Sequence, residues 1–184
     1  MKKALINVDY TNDFVAENGA LTCGEPGQAI EDAIIEITKD FIEQKEYVVF
    51  AIDMHSEQDP YHPETKLFPP HNIAGTTGRE LYGQLNDVYK DAVESGNNLI
   101  HWMDKTRYSA FAGTDLDIRL RERGITDLHI VGVCTDICVL HTAVDAYNKG
   151  YTITIHERAT ASFNPAGHQW AIEHFKHSLG ATVL

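Results

Sequence analysis

Two hydrophobic rhythms alternate along the chain. Short β-branched apolar runs at 3–8, 47–52, 98–103, 127–133, 151–156 and 181–184 predict strands. Between several of them, apolar residues recur at helical spacing over about 27–45, 115–123, 137–149 and 166–179. Gly124 and Gly150 sit where helices should stop, each just before a strand. Strands alternating with helices predict an α/β domain with a mostly parallel sheet covered on both faces. No internal repeat, linker or low-complexity tract interrupts the pattern, so 1–184 reads as one domain.

The segment 53–80 breaks the rhythm. It carries Pro60, Pro63, Pro69, Pro70, Gly75, Gly78 and three histidines, His55, His62 and His71, without periodicity. A loop this long inside a compact domain is usually functional or tied down by something else.

Charged residues punctuate the strands at one end. Asp9 ends the first, Asp53 the second, Asp104 and Lys105 the third, and Cys134–Cys138 follow the fourth. Open parallel sheets bind ligands beyond the carboxyl ends of their strands, where strand order reverses. Convergence at that edge is what gives these residues weight. Singly, Asp9 reads as a loop cap, Lys105 as a solvated lysine, and a cysteine in a strand–helix turn as a small buried hydrophobe.

The strand Leu128–Val133 runs directly into Cys134-Thr135-Asp136-Ile137-Cys138 and then a helical pattern. Unpaired amides and the positive helix end at such a turn favour a thiolate. Asp9 could accept and return the thiol proton, and Lys105 could stabilise the thiolate. Backbone N–H groups at Cys134 and Cys138 suit an oxyanion. Cys138, inside the first helical turn, is the favoured nucleophile over Cys134; Cys23, in a Gly-rich loop, carries no signal.

Asp53 and His55, two apart, face one side of an extended segment. With His71 and either Glu64 or His62 they could hold Zn²⁺, Fe²⁺ or Mn²⁺, and an ion would order the Pro-rich loop. The competing reading is a polar surface loop with solvated histidines. Phe14, Phe68, Trp102, Tyr108 and Phe111 fall near the same strand ends and could form a slot for a flat ring.

Composition narrows the partners. A net charge of −12 argues against nucleic acid or anionic membrane surfaces. No apolar run approaches the roughly 18 to 20 residues of a membrane span. The start, Met1–Asp9, imitates a signal peptide but is broken at Asn7 and ended by Asp9, so a cytosolic protein is expected. Three cysteines there do not make a disulfide framework.

Asp9-Tyr10-Thr11-Asn12-Asp13-Phe14, Asp53-x-His55, Phe68-Pro69-Pro70-His71, Asp104–Phe111 with Lys105, and Gly132–Val139 together resemble the isochorismatase-like cysteine hydrolases, and within them the nicotinamidases (pyrazinamidases). The similarity runs in order from about 3 to 180. It implies a Rossmann-like three-layer sandwich with a six-stranded parallel sheet, an Asp9–Lys105–Cys138 triad, and a cis peptide between Val133 and Cys134. It implies one divalent metal, zinc first with iron or manganese as alternatives. Its ligands would be Asp53, His55, His71 and Glu64, with His62 as fallback. The implied reaction is hydrolysis of nicotinamide, and pyrazinamide, to the acid and ammonia through a thioester. The ring would sit among Phe14, Phe68 and Tyr108 with its nitrogen on the metal. Such an enzyme would serve pyridine-nucleotide salvage as a cytosolic homo-oligomer. Thr11, Phe68 and Asn72 replace a glutamine, a tryptophan and a cysteine frequent in the family. The rivals are another amide or ureido hydrolase of the superfamily, or a metal-binding redox switch built on Cys134 and Cys138.

Overall fold

The first apolar run becomes β1 (Lys2–Val8) in a computed structural model that describes residues 2–184. Its side chains alternate between faces, as strand geometry requires. Ala4, Ile6 and Val8 enter one core cluster, and Leu5 enters the other. The order along the chain is then α1 (Asn12–Val15), α2 (Glu25–Gln28), α3 (Glu31–Glu43), β2 (Tyr47–Asp53), α4 (Gln84–Glu94), β3 (Ile100–Lys105), α5 (Leu116–Glu122) and β4 (Ile125–Val133). A π-helical turn (Thr135–Val139) leads into α6 (Leu140–Asn148), followed by β5 (Thr152–Ala161), α7 (Pro165–His177) and β6 (Thr182–Val183).

The six strands are all parallel, in the order β3-β2-β1-β4-β5-β6. This is the expected Rossmann-like three-layer sandwich. Leu116, Leu120, Ala143, Ala146, Ile172 and Phe175 bring α5, α6 and α7 onto one face. Ile34, Ile37, Phe41 and Leu85 bring α3 and α4 onto the other. Strand order reverses between β1 and β4, so Asp9 and the Cys134–Cys138 turn leave the sheet side by side at the switch point. The crossing is tight. A Cβ on Gly132, whose φ is +118°, would lie 1.9 Å from the Val8 carbonyl oxygen, so only glycine fits.

Several elements differ from the pattern: α1 has no expected counterpart, and the helix expected over 27–45 is split into α2 and α3. Helix α4 lies in a stretch the sequence reading left unassigned. Leu85, Val88, Tyr89 and Ala92 do recur at helical spacing, but the stripe is narrow among Gln84, Asn86, Asp87, Lys90 and Asp91. Strand β3 lies two residues further on than 98–103, so Asp104 and Lys105 belong to it. Strand β5 extends to Ala161 through an irregularity, with Ile130 opposite Ile155 but Gly132 opposite Thr160. Polar Glu157 and Arg158 in that irregularity disguise the continuation.

Candidate active site

Lys105 is the hub of the site. It is the register partner of Asp53 across β2 and β3, so both side chains leave the sheet on the same side. Its Nζ lies 2.7 Å from Asp9 Oδ2 and 2.6 Å from Asp53 Oδ1, and it donates to the Arg107 carbonyl at 3.1 Å. All three ion-pair side chains are buried. Asp9 takes a left-handed backbone (φ +53°), and its Oδ1 accepts the Asp53 amide at 2.8 Å. Asp104, one residue before Lys105, faces the opposite way and binds Trp102 and Arg79.

Cys138 Sγ and carboxylate oxygens of Asp9 and Asp53 lie within 4.8 Å of one another. Thiol, carboxylate and ammonium therefore meet as expected, on a turn that begins with a cis Val133–Cys134 peptide. The expected thiolate is not what this pocket favours. Burial pushes the Cys138 thiol well up; Lys105 opposes this, and Asp9 and Asp53 add to it. Burial also raises Asp9, with help from Asp53 and against the pull of Lys105, to about 7. Burial works against Asp53 too, but Lys105 and His55 outweigh it and hold that carboxyl below its usual range. Burial opposes the Lys105 charge as well, yet the two carboxylates and Cys138 drive its pKa upward. Burial thus favours the neutral thiol, with the Asp9 carboxyl within reach of its proton.

Alongside, one donor atom each from Asp53, His55, Glu64 and His71 converge within 4.8 Å, all from buried side chains. Separations of 3.6 Å (His55–Asp53), 4.0 Å (His55–Glu64) and 3.4 Å (His71–Glu64) compare with the roughly 3.4 Å between ligands placed about 2.1 Å from a tetrahedral ion. Asp53 Oδ2, His55 Nε2, Glu64 Oε1 and His71 Nε2 are all buried without a hydrogen-bond partner. Buried polar atoms are normally satisfied, so four orphans facing one point fit a cation. His71 Nδ1 lies 2.8 Å from the Pro69 carbonyl, which fixes the ring with Nε2 inward.

His62 is excluded from the cage. Its Nε2 lies 2.8 Å from the Thr106 carbonyl and its Nδ1 accepts the Glu64 amide. Protein contacts also order the loop: Asp13 accepts the Asn72 amide at 2.7 Å, Arg79 donates to the Asp53 carbonyl at 2.6 Å, and His55 bridges to Ile73.

Phe14, Phe68 and Tyr108 line a cleft with Glu64, Cys134 and Cys138. Trp102 and Phe111 do not belong to it. Trp102 packs on Tyr89 with Arg79 over its ring, and Phe111 stacks on Tyr151 in the core. The expectations for these two ignored which face of β3 or of the following turn they occupy. Leu21, Ile137 and Phe163 also line the cleft and were missed, being apolar residues outside any motif. Cys23 is not without a role in packing, since its Sγ lies 3.1 Å from Cys134 Sγ; all three cysteines are free.

A thiol elbow at the switch point of a parallel sheet, beside four residues that could hold a metal ion, is the arrangement of an isochorismatase-like α/β hydrolase. The isochorismatase domain model matches residues 3–184, and the chain belongs to that family. It is 63% identical over 183 residues to the isochorismatase family protein PncA of Bacillus subtilis, spanning 100% of this chain and 99% of the relative. The crystal structure of nicotinamidase/pyrazinamidase PncA from Bacillus subtilis superposes with a TM-score of 0.96 at 64% identity, covering 100% of this chain and 99% of that one. The pyrazinamidase/nicotinamidase of Streptococcus mutans matches at 54% identity and TM-score 0.96, covering both chains completely. The pyrazinamidase of Pyrococcus horikoshii in complex with zinc matches at 29% identity and TM-score 0.85, covering 100% and 99%. The chain is an amidohydrolase of this nicotinamidase/pyrazinamidase group.

Proposed function

We propose that this enzyme hydrolyses nicotinamide, and pyrazinamide, to the carboxylate and ammonia through a thioester on Cys138. The observation that carries the reading is the meeting of Cys138, Asp9 and Lys105 within one buried cluster that opens into an aromatic cleft. The names of the relatives support the substrate class.

The amide ring enters between Phe14, Phe68 and Tyr108, which brings the carboxamide carbon to the sulfur, a proximity effect. Asp9 takes the Cys138 proton as the S–C bond forms, and the carbonyl oxygen becomes an oxyanion held by the N–H groups of Cys134 and Cys138. Asp9 returns its proton to the nitrogen, the C–N bond breaks, and ammonia leaves a thioester. Asp9 then takes a proton from water as the water oxygen attacks the thioester, the S–C bond breaks to release the acid, and Asp9 returns that proton to the departing sulfur, restoring the thiol. A carboxyl titrating near 7 suits this two-way role, because acid and base forms are both accessible at neutral pH. Lys105 holds Asp9 in place and balances the charge of both carboxylates.

Asp53, His55, Glu64 and His71 would hold one divalent cation, zinc before iron or manganese, which would supply an electrophilic anchor for a ring nitrogen. The proposal extends to a cytosolic homo-oligomer in pyridine-nucleotide salvage. A net charge of −12 disfavours nucleic acid or an anionic membrane surface as a partner, and among the described residues no helix is long and apolar enough to cross a membrane.

The test is ammonia release from nicotinamide, pyrazinamide and a ureido substrate panel by wild type and Cys138→Ala. Wild-type turnover of the pyridine amide with loss in the variant is expected. Turnover of ureido compounds alone would assign the enzyme to the rival class.

A further inference from the structure

Phe163 stands apart from the other side chains lining the cleft. Cys134, Cys138, Phe14 and Glu64 are buried and the rest are half-buried, but Phe163 is 47% exposed. It therefore occupies the mouth, between cavity and solvent. A phenylalanine on an exposed connection, here the turn between β5 and α7, would ordinarily be free to swing. Here the backbone is held on both sides of it.

Ser162, immediately before it, is buried. Its hydroxyl donates to Asp136 Oδ1 at 2.6 Å and accepts the Asn164 amide at 3.1 Å. Pro165, at the first position of α7, fixes the backbone just beyond. Asp136 is itself pinned, because its Oδ2 lies 1.9 Å from where a Cβ on Gly167 would be. The carboxylate fits against the first turn of α7 only because that residue is glycine. A second strap joins Thr135 Oγ1 to His168 Nδ1 at 2.8 Å. Thr135 and Asp136 belong to the same π-turn that carries Cys138. The turn bearing Phe163 and the turn bearing the thiol are thus one tied unit, and the backbone that carries the ring stands in fixed register with the turn that carries the sulfur.

We propose that Phe163 is a specificity-determining residue at the mouth of the cleft that selects against ring substituents on the amide substrate. This rests on the function proposed above. Loss or gain of one methyl in an apolar pocket changes selectivity about 10–200-fold, so one aromatic ring at the mouth is large enough to shift the substrate range.

The test compares kcat/KM for nicotinamide, 5-methylnicotinamide and 6-methylnicotinamide in wild type, Phe163→Ala and Phe163→Trp. The side chain is half in solvent, so neither substitution removes core packing. In the Ala variant, kcat for nicotinamide should stay within about threefold while KM rises, and discrimination against at least one methylated amide should fall about tenfold or more. The Trp variant should sharpen that discrimination. Wild-type turnover of nicotinamide with ratios unchanged within twofold in both variants would overturn the inference and leave the proposed function standing. Wild type inactive on nicotinamide would fail the proposed function, and the inference with it.

Discussion

Lys105→Met replaces the hub cation by an uncharged side chain of similar length. In the native site the ammonium lies 2.7 Å from Asp9 and 2.6 Å from Asp53, and none of the three side chains reaches water. The variant leaves two carboxyls facing each other in the core. Removing one partner of a buried ion pair costs about 3–5 kcal/mol. With an unfolding entropy of roughly 2.1 cal/mol/K per residue, 184 residues give about 0.39 kcal/mol/K. The melting temperature should then fall by about 8–13 °C. The loss should depend on pH with a definite sign. Without the cation, the folded-state pKa of Asp9 moves further above its unfolded value, so the folded variant binds more protons than the unfolded chain. Its stability is lost as pH rises through the folded pKa and restored as pH falls. Thermal melts of wild type and variant, matched in metal content, at about pH 5.5 and about pH 8.5 check this. A gap below about 2 °C at both, or one that widens towards acid, would refute the hub assignment.

The remaining expectations concern other parts of the site and one distant pair. Because Asp9 must be ionised to accept the thiol proton, kcat/KM should rise with pH up to about 7 and then level; a profile flat from about pH 5.5 to 7.5 would count against Asp9 as base. His71→Ala removes a donor from the cage and should lower metal affinity at least about 10–100-fold, read by equilibrium dialysis with elemental analysis; unchanged affinity would remove His71 from the cage. His156 is half-buried against His129 at 2.8 Å; burial first, and the charges of His129 and Arg158 next, depress its pKa to about 4. The unfolded chain then binds the extra proton between about 6.5 and 4, so stability should fall as pH drops through that window. The loss is about 1–2 kcal/mol after discounting for solvent screening. Equilibrium unfolding of His156→Gln should lack that dependence, and an equal dependence in the variant would contradict it.

What was legible in the sequence was whatever interrupts a hydrophobic run. Asp9, Asp53, Lys105 and the cysteine turn each stop a buried strand, so the strand ends and the switch point pointed to one edge before any geometry was known. Helix α4 was hidden because its apolar stripe of Leu85, Val88, Tyr89 and Ala92 is narrow among polar residues. Trp102 and Phe111 were misplaced because proximity to a strand end says nothing about which face a side chain takes. Glu64 and His62 could not be separated by spacing; the decision lies in the Thr106 carbonyl and Glu64 amide that occupy both His62 nitrogens. A helix start and a lysine, both legible in the sequence, favour the Cys138 thiolate, whereas the burial beside two carboxylates that opposes it is set by the fold. Phe163 and the Cys23–Cys134 contact depend on pairings across the fold that no local motif records.

The central claim is that Cys138 forms an acyl-enzyme. Rapid acid quench of the enzyme during turnover of nicotinamide, followed by intact-mass and peptide mass spectrometry, tests it directly. A nicotinoyl adduct confined to the peptide bearing Cys138, present only during turnover and absent from Cys138→Ala, is expected. Sustained ammonia release by the Ala variant at the wild-type rate, with no adduct on either protein, would contradict it.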